Sequence, residues 1–266
     1  MLVAAQVHLS MTDLTALVRD LVVANRILAV ENVVDAYGHV SVRHPTRPDR
    51  FLIAASLAPE LVGEQDIMEL NLDCTPVNND GRPLYHERFI HGGIYEARPE
   101  VQAVVHAHAE DVLPFSISKT PLRPVIHSGS FIGLHVPVWD IADRFGPGTN
   151  MLVTNMEQGR DLAGCLGKDN VALMRGHGFS AAARSLIEVV RMSVYVPRNA
   201  RALLNGLRLG DITPLSPGEI AARDAGYKPY SLETRRAWKY WAHKAGCAHL
   251  VEDHPIDHQH KPWGAG

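Results

Sequence analysis

VQAVVHAHA (residues 101–109) is an apolar run that ends in two histidines two positions apart. Successive side chains on a strand point to opposite faces, so His106 and His108 share a face and can reach one ion. Two half-buried histidines at a strand end would look the same. A second stretch narrows the reading. VALMRGHGFS (residues 171–180) places His177 between two glycines directly after a strand-like segment. Glycines there let the backbone come close and leave the imidazole in a concave site. Three imidazoles from two strand ends suit zinc, manganese, iron or cobalt. Glu87 stands just ahead of the helix-like FIHGGIYEA (residues 89–97), which leads into the first histidine strand. It either binds the ion or acts as a general base; a glutamate at a helix start is also a favourable charge on the helix dipole.

Outward from these segments, residues 13–32 carry apolar side chains at helical spacing behind a Thr12 or Asp13 cap. HVSVRHP (39–45) and RFLIAAS (50–56) read as a hairpin, and IMELNLD (67–73) as a third strand before the turn NNDGRP. LRPVIHS (122–128) and HVPVWD (135–140) are expected as further strands. MEQGRDLAGCLG (156–167) and the long segment 185–207 are expected as helices. Strands and helices without strict alternation predict an α/β sandwich with a mostly antiparallel sheet. Residues 1–215 read as one catalytic domain. Residues 216–266, rich in Pro, Trp, Tyr, His and charge, read as a C-terminal extension serving as lid, intersubunit arm or loosely packed terminus.

The 266 residues are 46% hydrophobic and 21% charged, which excludes a disordered or collagen-like chain. A net charge of -3 without a basic stripe argues against nucleic-acid partners. No apolar run approaches the ~20 residues that span a bilayer. The opening MLVAAQVHLSMTDL lacks a basic start and a cleavage site, so a cytoplasmic protein is expected. Cys74, Cys165 and Cys247 are odd in number and far apart, and suggest thiols rather than disulfides.

Taken in order, the opening helix, YGHVSVR, AAS, ARPEVQAVVHAHA and ALMRGHG resemble the class II aldolase/adducin family over roughly residues 12–205. That resemblance implies a three-layer α/β/α sandwich and a homotetramer. It also implies a divalent ion, Mn2+ or Zn2+, held by Glu87, His106, His108 and His177, with Glu87 also moving protons. Three positions depart from the sugar-phosphate aldolases of the family. Gly38-His39 replaces Gly-Asn, Ser56-Leu57 replaces Ser-Gly, and Tyr85-His86 replaces two serines. Each change removes part of a phosphate cradle. The chain is more similar to the branch that decarboxylates hydroxylated pyridine or benzene dicarboxylates, as in vitamin B6 degradation, through a metal-stabilised enolate-like intermediate. On that reading His39 joins Glu87 as a catalytic residue. Ser41, Arg43, Ser56, Tyr85, His86 and Arg175 form the substrate pocket, and His127, Ser128 and Ser130 lie nearby. An aldolase acting on a hydroxy-oxo acid or sugar-type substrate is the alternative. A non-enzymatic adducin-like module fits poorly with the intact Glu/His/His/His set. Tyr195 is expected in the core, and His254, His258 and His260 are expected to bind no metal.

Overall fold

The computed structural model describes residues 11–226 and 231–251. Its centre is a seven-stranded sheet built from β1 (His39–Arg43), β2 (Arg50–Ala54), β3 (Ile67–Asn71), β4 (Ala103–Ala107), β5 (Val138–Trp139), β6 (Val171–Met174) and β7 (Gly178–Ala183). The spatial order is β3-β2-β1-β4-β7-β6-β5. Neighbours run antiparallel except the short edge strand β5, which pairs parallel to β6. The helices are α1 (Met11–Val30), α2 (Phe89–Ala97), α3 (Leu113–Ile117), α4 (Ile141–Phe145), α5 (Met156–Leu166), α6 (Leu186–Leu209), α7 (Pro217–Gly226), α8 (Leu232–Lys244) and α9 (Ala248–Val251).

Alternation along the strands builds two cores. Val40, Val42, Val105 and Ala181 face the layer of α1, α6 and α8, where Leu21, Ile27, Val190 and Trp241 are buried. Val104, Ala172 and Ala182 face the layer of α2 and α5, where Ile90, Ile94 and Leu162 are buried. Each fully buried Val, Leu or Ile side chain among these contributes roughly 1.5–3 kcal/mol. The result is the three-layer α/β/α sandwich with a mostly antiparallel sheet. Side-chain caps start three of the helices: Asn155 on α5, Ser185 on α6 and Ser231 on α8 each accept the backbone N–H of the residue three positions on.

The first helix starts at Met11, so Thr12 and Asp13 lie inside it and do not cap it, and two expected strands also differ. LRPVIHS forms no strand, because the backbone N–H groups of Val125 and Ile126 donate to Asn199 Oδ1 on α6 instead of to a neighbouring strand. His127–Ile132 then coils into a short 3-10 segment. HVPVWD contributes only two strand residues, just after Pro137, which has no N–H to give a ladder. The described part of the C-terminal segment contributes α7, α8 and α9, and Trp238, Trp241 and Cys247 sink into the same core as α1 and α6. The rest of the tail, with His254, His258 and His260, lies outside the described residues.

Candidate metal centre and pocket

β1, β4 and β7 lie side by side, and their register gathers the polar residues at one end of the sheet. His39 is opposite His106, and His106 is opposite Ser180. The turn between β6 and β7 carries His177 to the same end. Gly178 makes that close approach feasible: a Cβ there would sit 2.1 Å from the Ala107 carbonyl oxygen. Gly38 plays the same part before β1, with φ of 91° and the Val34 side chain 2.6 Å from where its Cβ would be.

The Nε2 atoms of His106 and His108 are 2.9 Å apart, and those of His108 and His177 are 3.1 Å apart. Glu87 Oε2 lies 3.5 Å from His106 Nε2, 3.4 Å from His177 Nε2 and 4.0 Å from His108 Nε2. All four donor atoms fall within 4.8 Å of one another. Four ligands about 2.0–2.1 Å from one ion in a tetrahedron sit roughly 3.4 Å apart, so the donor set fits a divalent cation. His106 Nδ1 donates to the Phe179 carbonyl at 3.1 Å. That bond puts the ring proton on Nδ1 and aims the Nε2 lone pair at the cluster.

Glu87 is buried at a kink just before α2, with φ of -93° and ψ of 19°. The Val153 N–H donates to its Oε1 at 3.1 Å, leaving Oε2 to face the histidines. Burial opposes ionisation of this carboxyl, but His106 and His177 outweigh burial and hold it well below the usual carboxylate range. Burial first, and then repulsion from His106 and His177, pushes His108 down to about 4. A neutral imidazole is the form that ligates a cation.

Beside the cluster opens a cavity of about 410 Å³, lined by Tyr37, His39, Ser56, Leu57, Tyr85, His86, Glu87, His108 and Leu152 among others. The Tyr85 hydroxyl donates to the Leu57 carbonyl, which pins the ring, and His39 lies against it with centroids 4.7 Å apart. Burial pushes the Tyr85 phenol up to about 12. His39 is buried, and burial together with the neighbouring His91 and His106 lowers its pKa well below the ordinary value.

Three residues expected to contact substrate lie away from this cavity. Arg43 is buried, and its guanidinium donates to the carbonyls of Val101, Pro48, Tyr95 and Arg98, with none of it facing the cavity. Ser41 is fully buried between His91 and Tyr95. Arg175 pairs with Asp140 outside the cavity wall. Ser130 is buried and lines a different cavity with Arg98 and Arg191. Tyr195 packs against Trp241 in the opposite helical layer. Sequence reasoning missed His91, Tyr37 and Leu152. His91 falls four residues after Glu87, one helical turn on, which is the signal that was available.

Residues 19–204 match the family described as Class II Aldolase and Adducin N-terminal domain. The chain is 40% identical over 196 residues to Decarboxylase tropJ of Talaromyces stipitatus, covering 69% of this chain and 74% of that protein. It is 26% identical to a 3,4-dihydroxyphthalate decarboxylase of Arthrobacter keyseri, over 82% of this chain and 89% of that one. The fold is shared with an L-fuculose 1-phosphate aldolase from Glaciozyma antarctica, with a TM-score of 0.73 at 21% identity, covering 90% of this chain and 94% of that one. The matched span and the 40% identical relative give one conclusion: this chain belongs to the class II aldolase and adducin family.

Proposed function

We propose that the protein is a metal-dependent lyase that decarboxylates a hydroxylated aromatic dicarboxylate of the pyridine or benzene class. The observation that carries this reading is the convergence of Glu87, His106, His108 and His177 beside a pocket walled by aromatic and apolar side chains. The decarboxylase names of the relatives at 40% and 26% identity support it. The aldolase relationship of the fold is compatible, because decarboxylation and aldol cleavage both leave negative charge next to a broken carbon–carbon bond.

A divalent cation, Mn2+ or Zn2+, held by the four residues would supply the Lewis acid that stabilises that charge. The chain's own side chains do the rest. Tyr85, Leu57 and Leu152 form a fixed apolar wall for a flat ring and keep water from it. Ser56 and His86, both exposed on the rim, are placed to meet a second carboxylate in the absence of Arg43 and Arg175. Glu87 and His39 are the pocket groups suited to hold or move a proton. A homotetramer and a cytoplasmic location belong to the same proposal; light scattering and cell fractionation check them.

The decisive experiment supplies purified protein with Mn2+ or Zn2+ and a panel of hydroxyphthalates and hydroxypyridine dicarboxylates. Carbon dioxide release is expected. His106→Ala should lower both metal affinity and turnover by at least ~100-fold with the circular dichroism unchanged. Aldehyde release from a hydroxy-oxo acid, with no carbon dioxide from the panel, would overturn decarboxylation in favour of aldol cleavage.

A further inference from the structure

Behind the pocket wall, four polar side chains run in single file into the interior. His39 Nδ1 is 2.6 Å from His91 Nε2, and His91 Nδ1 is 2.6 Å from Ser41 Oγ. Ser41 Oγ is in turn 2.8 Å from the Tyr95 hydroxyl. Two periodicities produce the file. His39 and Ser41 are two apart on β1, and His91 and Tyr95 are four apart on α2, so the strand row and the helix row interleave. His91 and Ser41 are wholly buried and Tyr95 nearly so.

The direction of the hydrogen bonds follows from the inner end. A buried phenol must donate its proton, since a hydroxyl left without an acceptor in the interior costs roughly 1–3 kcal/mol. Ser41 Oγ is the acceptor available to Tyr95 among the described residues. Ser41 then donates its own hydrogen to His91 Nδ1. His91 therefore carries its proton on Nε2 and donates to His39 Nδ1. His39 is left with its proton on Nε2, the ring nitrogen that remains for the pocket it lines.

We propose that His91, backed by Ser41 and Tyr95, is a positioning residue that fixes His39 as a neutral imidazole donating its Nε2–H into the pocket. The acceptor is a carboxylate or developing oxyanion of the substrate, and this part rests on the functional reading above. The assignment separates the two catalytic candidates. His39 has a hydrogen to share but none to release. Loss of the Nε2 proton would leave an imidazolate, or, after three protons shift along the file, a buried Tyr95 phenolate. Proton transfer therefore falls to Glu87, and His39 serves as a fixed donor.

The test is long-range 1H–15N correlation spectroscopy of the full chain labelled with 15N-histidine and loaded with diamagnetic Zn2+, with His39 assigned by loss of its signals in His39→Gln. The wild type should show His39 protonated at Nε2 and unprotonated at Nδ1. His91→Gln keeps an amide N–H donor and should preserve that pattern, whereas His91→Phe should lose the single tautomer. Both variants should bind Zn2+ as the wild type does, and His91→Phe should lower kcat/KM about tenfold, the effect of one hydrogen bond. A wild-type His39 protonated at Nδ1 overturns the proposal. So does an Nε2–H pattern that His91→Phe leaves intact. If the spectra behave as expected and no aromatic acid is decarboxylated, the functional reading fails while the positioning role stands.

Discussion

At the His106 end of β4 a cavity of about 410 Å³ is lined by Tyr37, His39, Tyr85, His86, Glu87 and His108. Beyond the other end of the same strand, a cavity of about 420 Å³ is lined by Arg98, Lys168, Arg184, Glu188, Arg191 and Arg223. Size does not distinguish them; partnership does. At the arginine-rich end the charges are largely consumed by the protein. Arg98 pairs with Glu100 at 2.8 Å, and Arg191 and Arg223 converge on Glu233 at 3.4 and 2.6 Å. Glu188 accepts the Arg184 backbone N–H. At the histidine end, three imidazole nitrogens and a carboxylate oxygen point at one another. When the imidazoles are neutral and carry their protons on Nδ1, as His106 does, these are lone pairs facing lone pairs, an arrangement that a cation relieves. Polar groups that the fold crowds together without protein donors mark chemistry more reliably than cavity volume does.

The strongest way to break this comparison is at the turn that delivers His177. Gly178→Ala drives a methyl group into the Ala107 backbone, and is expected to cost roughly 2–4 kcal/mol of stability and to abolish metal binding. Urea unfolding and metal titration check both; a variant with wild-type stability and affinity would mean the close approach is dispensable. Next is the cation itself. At a hundred times its Kd, Zn2+ should stabilise the protein by about 2.7 kcal/mol, with Tm rising accordingly and falling back on chelation. A Tm indifferent to Zn2+ would count against the donor set. The smallest effect belongs to the opposite end. Arg184→Ala removes an exposed cation and should change stability by less than about 0.5 kcal/mol, leaving turnover unaltered. A substantial fall in activity would show that the arginine-rich cavity takes part after all.

Much of the histidine end was legible because strand alternation is a strong rule. It put His106 and His108 on one face, and the flanking glycines flagged His177. At β1 the pocket expectation for Ser41 and Arg43 came from the family resemblance, and alternation would not have corrected it. His39, Ser41 and Arg43 do share a face, but each step of two residues moves about 7 Å along the strand. His39 therefore reaches the pocket, Ser41 lies behind it, and Arg43 reaches the far end of α2 at Tyr95 and Arg98. Periodicity gives the face of a residue and says nothing of its depth. The loss of the expected 122–128 strand has a different origin. Its backbone donors were claimed by Asn199, more than 70 residues later in the chain, and no local pattern announces such a partner.

The pairing of β4 with β7 places His106 against a carbonyl 73 residues further on. A chain still being folded owns His177 at one tight turn and the two histidines of residues 106–108 at the end of β4, with a long loop to close between them. Closing such a loop carries an entropic cost that grows only slowly with its length, but it must be met before the chelate exists. Fragments with one or two imidazoles hold divalent ions weakly, so metal captured early would have little power to trap a half-formed sheet. Tight capture would then coincide with completion of the central strands, which would make metal uptake a natural clock for the last long-range step of folding.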